Sequence, residues 1–178
     1  MEKRFRLRLI NALSGFKSVN LVGTTDNDGN ENLAIISSVV HLGSDPALMG
    51  FISRPAVVER NTFSNIKETG FFTFNHITQS IFKEAHQTSA RYPKSISEFE
   101  KTGLTPIYKD NFQVPFVAES AVQVGLSFKE KIDIKLNDTI LIIGEIQSVY
   151  VPENCLREDG FLDIEKAYES GTEKTVRQ

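Results

Sequence analysis

Two adjacent runs near the C-terminal end constrain this chain most: "PFVAESAVQVGLSFKEKIDI" (residues 115–134) and "DTILIIGEIQSVYVP" (138–152), the second dense in isoleucine and valine. Branched and aromatic side chains of this kind suit a pleated, half-buried surface. Two long strands in succession after a helical stretch do not follow the alternation of a βαβ unit. They predict a mostly antiparallel sheet or barrel with helices packed outside it.

The rest of the chain fits that frame. "SVNLVGTTDNDGNENLAIISSVVHL" reads as two extended runs around a turn at Asp28-Gly29. "ALMGFIS" (47–53) is a short apolar strand after the Asp45-Pro46 turn, and "FFTFN" (71–75) carries apolar residues at both parities, as a strand buried on both faces does. Between them, "NTFSNIKETG" has a polar cap, Phe63 and Ile66 on one face, and Gly70 as its stop, which predicts a short helix. Two further short helices are expected on either side of Tyr92-Pro93. The first rests on Ile77, Ile81 and Ala85, the second on a capping-box pattern at Ser97 and Glu100. The polar tail, residues 164–178, reads as one helical turn loosely attached to a core spanning about residues 19–163. The 178 residues suit one domain.

Composition removes several function classes. A formal charge of -3 with interspersed signs supplies no basic stripe for nucleic acid or an anionic membrane. An OB-like module for single strands would need aromatic platforms in a basic groove, whereas the phenylalanines here sit in core-like patterns. The N-terminus lacks the apolar centre of a signal peptide, and no run approaches membrane-spanning length. A single cysteine, Cys155, fits a reducing, cytoplasmic setting and reads as an incidental residue of a polar loop. His41, His76 and His86 lack ligand-like spacing, so no metal site is expected. The Asp26–Asp28–Gly29 turn misses the last carboxylate of a calcium loop, and no glycine-rich dinucleotide fingerprint or nucleophile elbow is present.

What survives is a pair of stretches. In "GFISRPAVVERNTFSNI", Arg54 offers a planar fork of donors suited to phosphate, and Thr62 offers a hydroxyl beside the unpaired N–H groups of a helix start. In "NLAIISSVV", Ser37 and Ser38 bring small hydroxyl side chains to an otherwise apolar strand end, where a flat polar ring could approach the backbone.

The order of "LVGTTDNDGNENLAIISSVVHLGSDPALMGFISRP", "NTFSNIKETGFFTFN", "ARYPKSISEFEKTGLTP", "VPFVAESAVQV" and "DTILIIGEI" resembles the flavin reductase-like, FMN-binding split-barrel family, which includes flavoredoxin. The resemblance spans about residues 19–163. It implies an antiparallel split β-barrel of Greek-key type, a homodimer with FMN rather than FAD near the subunit interface, and NADH or NADPH as electron donor. It further implies that Ser37, Ser38 and Val39 contact the flavin ring and ribityl chain, that Ser53, Arg54, Thr62 and Asn65 hold the phosphate, and that the "HQTSARY" loop brings His86, Thr88 and Ala90 alongside. The activity implied is hydride transfer to flavin N5 by a flavin-dependent oxidoreductase. The alternative is a flavoredoxin-like electron carrier served by a partner redox protein. The chain departs from the family pattern at its end, where Tyr168 and Gly171 lie in a short charged run.

Overall fold

In the computed structural model, residues 2–54, 61–93, 96–170 and 175–176 are described. The two long runs form the backbone of the fold. Strands β8 (Gln123–Ile134) and β9 (Thr139–Pro152) pair antiparallel from Gln123↔Tyr150 to Ile134↔Thr139. Their connection turns at Asp138, which takes a positive φ of 57°, and Asn137 Oδ1 accepts from the Thr139 N–H at 3.2 Å. The first run is not one strand throughout. Phe116–Val117 forms the short β7 against β6 (Pro106–Ile107), and the chain then turns before β8 begins.

The remaining strands are β1 (Asn20–Thr25), β2 (Glu31–Ile36), β3 (Val40–Ser44), β4 (Ala47–Ser53), β5 (Phe71–His76) and the two-residue β10 (Thr175–Val176). The main sheet runs β2-β1-β5-β8-β9-β4-β3, with β10 added beside β9. Neighbours pair antiparallel throughout. This is the expected split barrel with short helices outside. The Asp28-Gly29 hairpin joins β1 to β2, with Gly29 at φ 82°, and Asp26 Oδ1 accepts from the N–H groups of Asp28 and Asn30. The second extended run, however, breaks after Ile36, and the Ser37–Val39 connection separates β2 from β3.

Phe72 and Phe74 of β5 enter the barrel, where they meet Phe51 edge-to-face at centroid distances of 5.8 Å each. Val22, Leu126, Ile142 and Ile66 of helix α2 (Asn61–Thr69) complete this core. Gly144 of β9 is required here, because a Cβ at that position would lie 2.5 Å from Cζ of Phe72. On the opposite face of β5, Thr73 donates to Pro115 O at 2.8 Å and Asn75 accepts from the Val117 N–H at 2.9 Å. Both faces of this strand are therefore buried, as its composition predicts.

A second apolar layer lies outside the barrel. Leu21 and Leu33 pack against Ile81, which precedes helix α3 (Phe82–Gln87), against Ala85 of that helix and against Phe99 of α4 (Glu98–Thr102). Ser97 caps α4 through the Phe99 N–H at 3.3 Å, and Gly103 ends it in the left-handed conformation. The same helix start reaches back to the sheet: Glu98 Oε2 accepts from the Leu33 N–H at 3.0 Å on the outer side of edge strand β2. Two residues on, Thr88 Oγ1 accepts from the Ile35 N–H, also at 3.0 Å.

Three stretches differ from the sequence reading. Residues Lys3–Ala12 form a helix, α1, capped by the Glu2 carboxylate on the Arg4 and Phe5 N–H groups, and none of its residues is buried. Cys155, in the turn Glu153–Cys155, is a core residue at 1% exposure against Val122, Val151 and Ala167. The C-terminal segment is anchored: helix α5 (Ile164–Ser170) buries Ala167 completely, and Lys166 Nζ donates to Asn154 O at 2.6 Å. None of the described helices is long and apolar enough to cross a membrane.

Candidate functional site

The site grows from the seam of the split barrel. At one end of the sheet path β2 has no further strand among the described residues, yet its continuation meets β4. Ser38 Oγ accepts from the Ile52 N–H and donates to the Ile52 carbonyl, each at 3.1 Å. One hydroxyl thus serves both backbone groups of Ile52 and holds the Ser37–Val39 connection against the end of β4, where Ser53 and Arg54 follow. Its bonding capacity is largely used, so a ligand at this turn would meet the exposed Ser37 and the backbone more readily than the Ser38 hydroxyl. The outward N–H groups of β2 at Leu33 and Ile35 are taken by Glu98 and Thr88. Ser37 comes next in that alternation and has no protein partner among the described residues.

Arg54 is exposed and forms no ion pair among the described residues, while Ser53 Oγ lies 3.5 Å from its carbonyl oxygen. Residues 55–60, including Pro55 of the "SRP" motif, lie outside the described residues. Helix α2 then begins at Asn61. Thr62 and Asn65 face the sheet: Asn32 Nδ2 donates to both Thr62 Oγ1 (3.1 Å) and Thr24 Oγ1 (3.2 Å), and Asn65 Nδ2 donates to Thr24 Oγ1 at 3.2 Å. This network pins α2 to β1 and β2. The Asn65 Oδ1 atom is buried without a partner among the described residues.

Thr88 is buried and clamps α3 to β2, since its hydroxyl also donates to Ala85 O at 2.9 Å. Ala90 is exposed just beyond it. His86, also exposed, faces elsewhere: it lines a cleft of about 580 Å³ where the ends of β1, β2 and β5 meet α3 and α5. Ile35, Ile77 and Phe82 form apolar walls, and Asn20, His76 and Tyr168 contribute polar groups. His76 Nδ1 lies 3.1 Å from the Tyr168 hydroxyl, and the rings meet edge-on at 6.0 Å. Burial lowers the His76 pKa to about 4, so the imidazole is neutral around pH 7, and burial raises that of Tyr168. Asn20, His76 and Tyr168 were not singled out as site residues from the sequence. They lie far apart in the chain, and only the register Ile36–Asn20–His76 across β2, β1 and β5 brings the first two together.

Residues 13–172 match the sequence model of the flavin reductase like domain, and the chain belongs to that family. A solved structure assigned as a flavin reductase with a split barrel domain, from Shewanella frigidimarina, is 50% identical with a TM-score of 0.91, covering 100% of this chain and 85% of that one. The flavoredoxin of Desulfovibrio vulgaris is 28% identical with a TM-score of 0.73, covering 85% of this chain and 78% of its own. An uncharacterised protein of Aquifex aeolicus is 29% identical over 153 residues, 84% of this chain and 76% of that protein.

Proposed function

We propose that this protein binds FMN and acts as an NAD(P)H-dependent flavin reductase. The observation that carries the reading is the Ser38–Ile52 seam, which sets the Ser37–Val39 turn against the strand end that presents Ser53 and Arg54, a cation with no ion pair among the described residues. A polar ring edge and a phosphate can be met there together. Arg54 and Ser53 would hold the phosphate, with the N-terminal turn of α2 as a further donor set. The Ser37 N–H and the backbone around Val39 would hold the ring edge. Thr62 and Asn65 support that seat by fixing α2, and Thr88, which accepts from the Ile35 N–H, holds the end of α3 against β2 with Ala90 just beyond it.

Bound FMN would supply hydride acceptance at N5 from NADH or NADPH and onward electron delivery. The chain's own part is to orient the ring, leave one face accessible, and aim N–H dipoles at the edge that gains negative charge on reduction. No obligate acid or base is required, and His86 has no assigned proton. A homodimer and a cytoplasmic setting belong to the same proposal. The exposed apolar side chains of α1 and of Val40 and Leu42 on β3 support the first, and the presence of a single cysteine, the buried Cys155, supports the second.

Purified protein mixed with FMN should develop a perturbed flavin spectrum at micromolar concentration and bleach anaerobically with NADH or NADPH. Failure to bind the flavin overturns the proposal. Binding without bleaching by either nucleotide selects the second reading, an electron carrier, which the likeness to flavoredoxin supports.

A further inference from the structure

Asn32 of β2 is 7% exposed, and its Nδ2 makes two bonds, to Thr24 Oγ1 at 3.2 Å and to Thr62 Oγ1 at 3.1 Å. Both lengths suit an N–H donor and are long for a hydroxyl donating to an amide oxygen, so the amide nitrogen faces the two threonines. The direction of the second bond decides what Thr62 can offer. A hydroxyl has one proton and two lone pairs, and here one lone pair is committed to Asn32. The proton therefore points away from the amide, and it has no acceptor among the described residues. Thr62 is half-buried at the second position of α2, where the first backbone N–H groups of the helix also lack intrahelical partners. The spacing is fixed from the helix side as well, because Asn65 Nδ2 donates to the same fully buried Thr24 Oγ1 at 3.2 Å.

We propose that Asn32 is a positioning residue for phosphate recognition: by donating to Thr62 Oγ1 it keeps the Thr62 proton turned toward the start of α2, which then offers an incoming phosphate only donors. The inference rests on the phosphate seat described above and assigns its polarity to a side chain that acts through Thr62. An acceptor in place of the Asn32 amide nitrogen would take the Thr62 proton for itself. A hydroxyl lone pair would then face the phosphate oxygens, and the seat would lose a donor and gain a repulsive contact.

The quantity to measure is the preference for FMN over riboflavin, taken as the ratio of their Kd values in fluorescence titrations. Asn32→Asp is nearly isosteric and reverses the bond to Thr62, because a carboxylate only accepts, so the preference should fall by about tenfold or more. In a Thr62→Val background the same substitution should change it by less than about threefold, since no hydroxyl is left to turn. Thr62→Ser should keep the wild-type preference. Equal losses in the two backgrounds would mean that the new charge repels the phosphate directly, and would overturn the proposal. An undiminished preference in Asn32→Asp would overturn it too, while leaving the flavin reading in place. Because a carboxylate at this buried position could unfold the chain, a second measurement uses the unaltered, isotope-labelled protein without flavin. On addition of inorganic phosphate an Asn32 Nδ2 proton resonance should move downfield, as donation by Thr62 strengthens the bond it accepts. That shift in a protein that takes no FMN would sink the flavin reading while supporting this one. An Asn32 amide signal that does not respond to phosphate would overturn the proposal.

Discussion

The Ser38 hydroxyl grips Ile52 twice, accepting its N–H and donating to its carbonyl at the same 3.1 Å. A side chain here performs the exchange that a paired residue performs in a sheet ladder, and it does so where β2 and β4 have no strand between them. Ser38→Ala removes both bonds and should lower stability by about 1–2 kcal/mol. Urea unfolding should show a lower midpoint at constant slope, together with weaker FMN binding as the Ser37–Val39 turn loses its position. An unchanged midpoint would mean that water replaces the hydroxyl at no cost.

Arg54→Ala should weaken FMN far more than riboflavin, because only FMN carries the phosphate. The loss expected for a charge-assisted hydrogen bond is about 1.5–3 kcal/mol, and at this exposed position it should shrink as salt is added. Equal losses for the two flavins in parallel titrations would assign Arg54 another role.

His76 makes stability depend on pH. Its pKa falls from 6.5 to about 4 on folding, so between those values the unfolded chain binds the proton and the native one does not. Stability is fully present above the unfolded value and declines as pH falls through the window. It levels off below about 4, after a total loss of roughly 3 kcal/mol from this group at 1.36 kcal/mol per pKa unit. Unfolding midpoints of the wild type and His76→Gln should converge as the pH is lowered. Curves that stay parallel would show that the imidazole is not buried neutral.

Gly144→Ala should destabilise by about 1–3 kcal/mol, the usual cost of overpacking, because its methyl group would press on the Phe72 ring. Phe72→Leu in the same background should recover part of the loss. An alanine variant as stable as the wild type would mean that the aromatic cluster shifts freely.

Elements whose apolar residues are buried by near neighbours were legible in the sequence. The hairpin at Gly29, the doubly buried β5 and the capped helix α4 carry their own signals. The segments around Ser37–Val39 and Ser53–Arg54 stood out because small hydroxyls and an arginine are unusual at apolar strand ends, but the Ser38–Ile52 bonds that join them did not show in the sequence. Features created by distant pairing were not legible. Cys155 sits among polar sequence neighbours, and its apolar partners Val122, Val151 and Ala167 arrive from other elements. Helix α1 alternates charged and apolar residues and buries none of them, so no core contact marks its period. The Asn20–His76–Tyr168 cleft depends on strand register and on the docking of α5, neither of which a local pattern records. Thr62 and Asn65 show the converse: residues typical of a helix start turned inward to hold the helix.

The bonds from Leu33 to Glu98 and from Ile35 to Thr88 have a consequence for assembly. An uncovered strand edge is a template on which another chain can add its own strand, and fibres grow that way. Along β2 the outward N–H groups of Leu33 and Ile35 are already taken by side chains from outside the barrel. A carboxylate and a hydroxyl that lie outside the barrel core thus guard this edge, and losing them would leave its N–H groups open to strand addition by another chain.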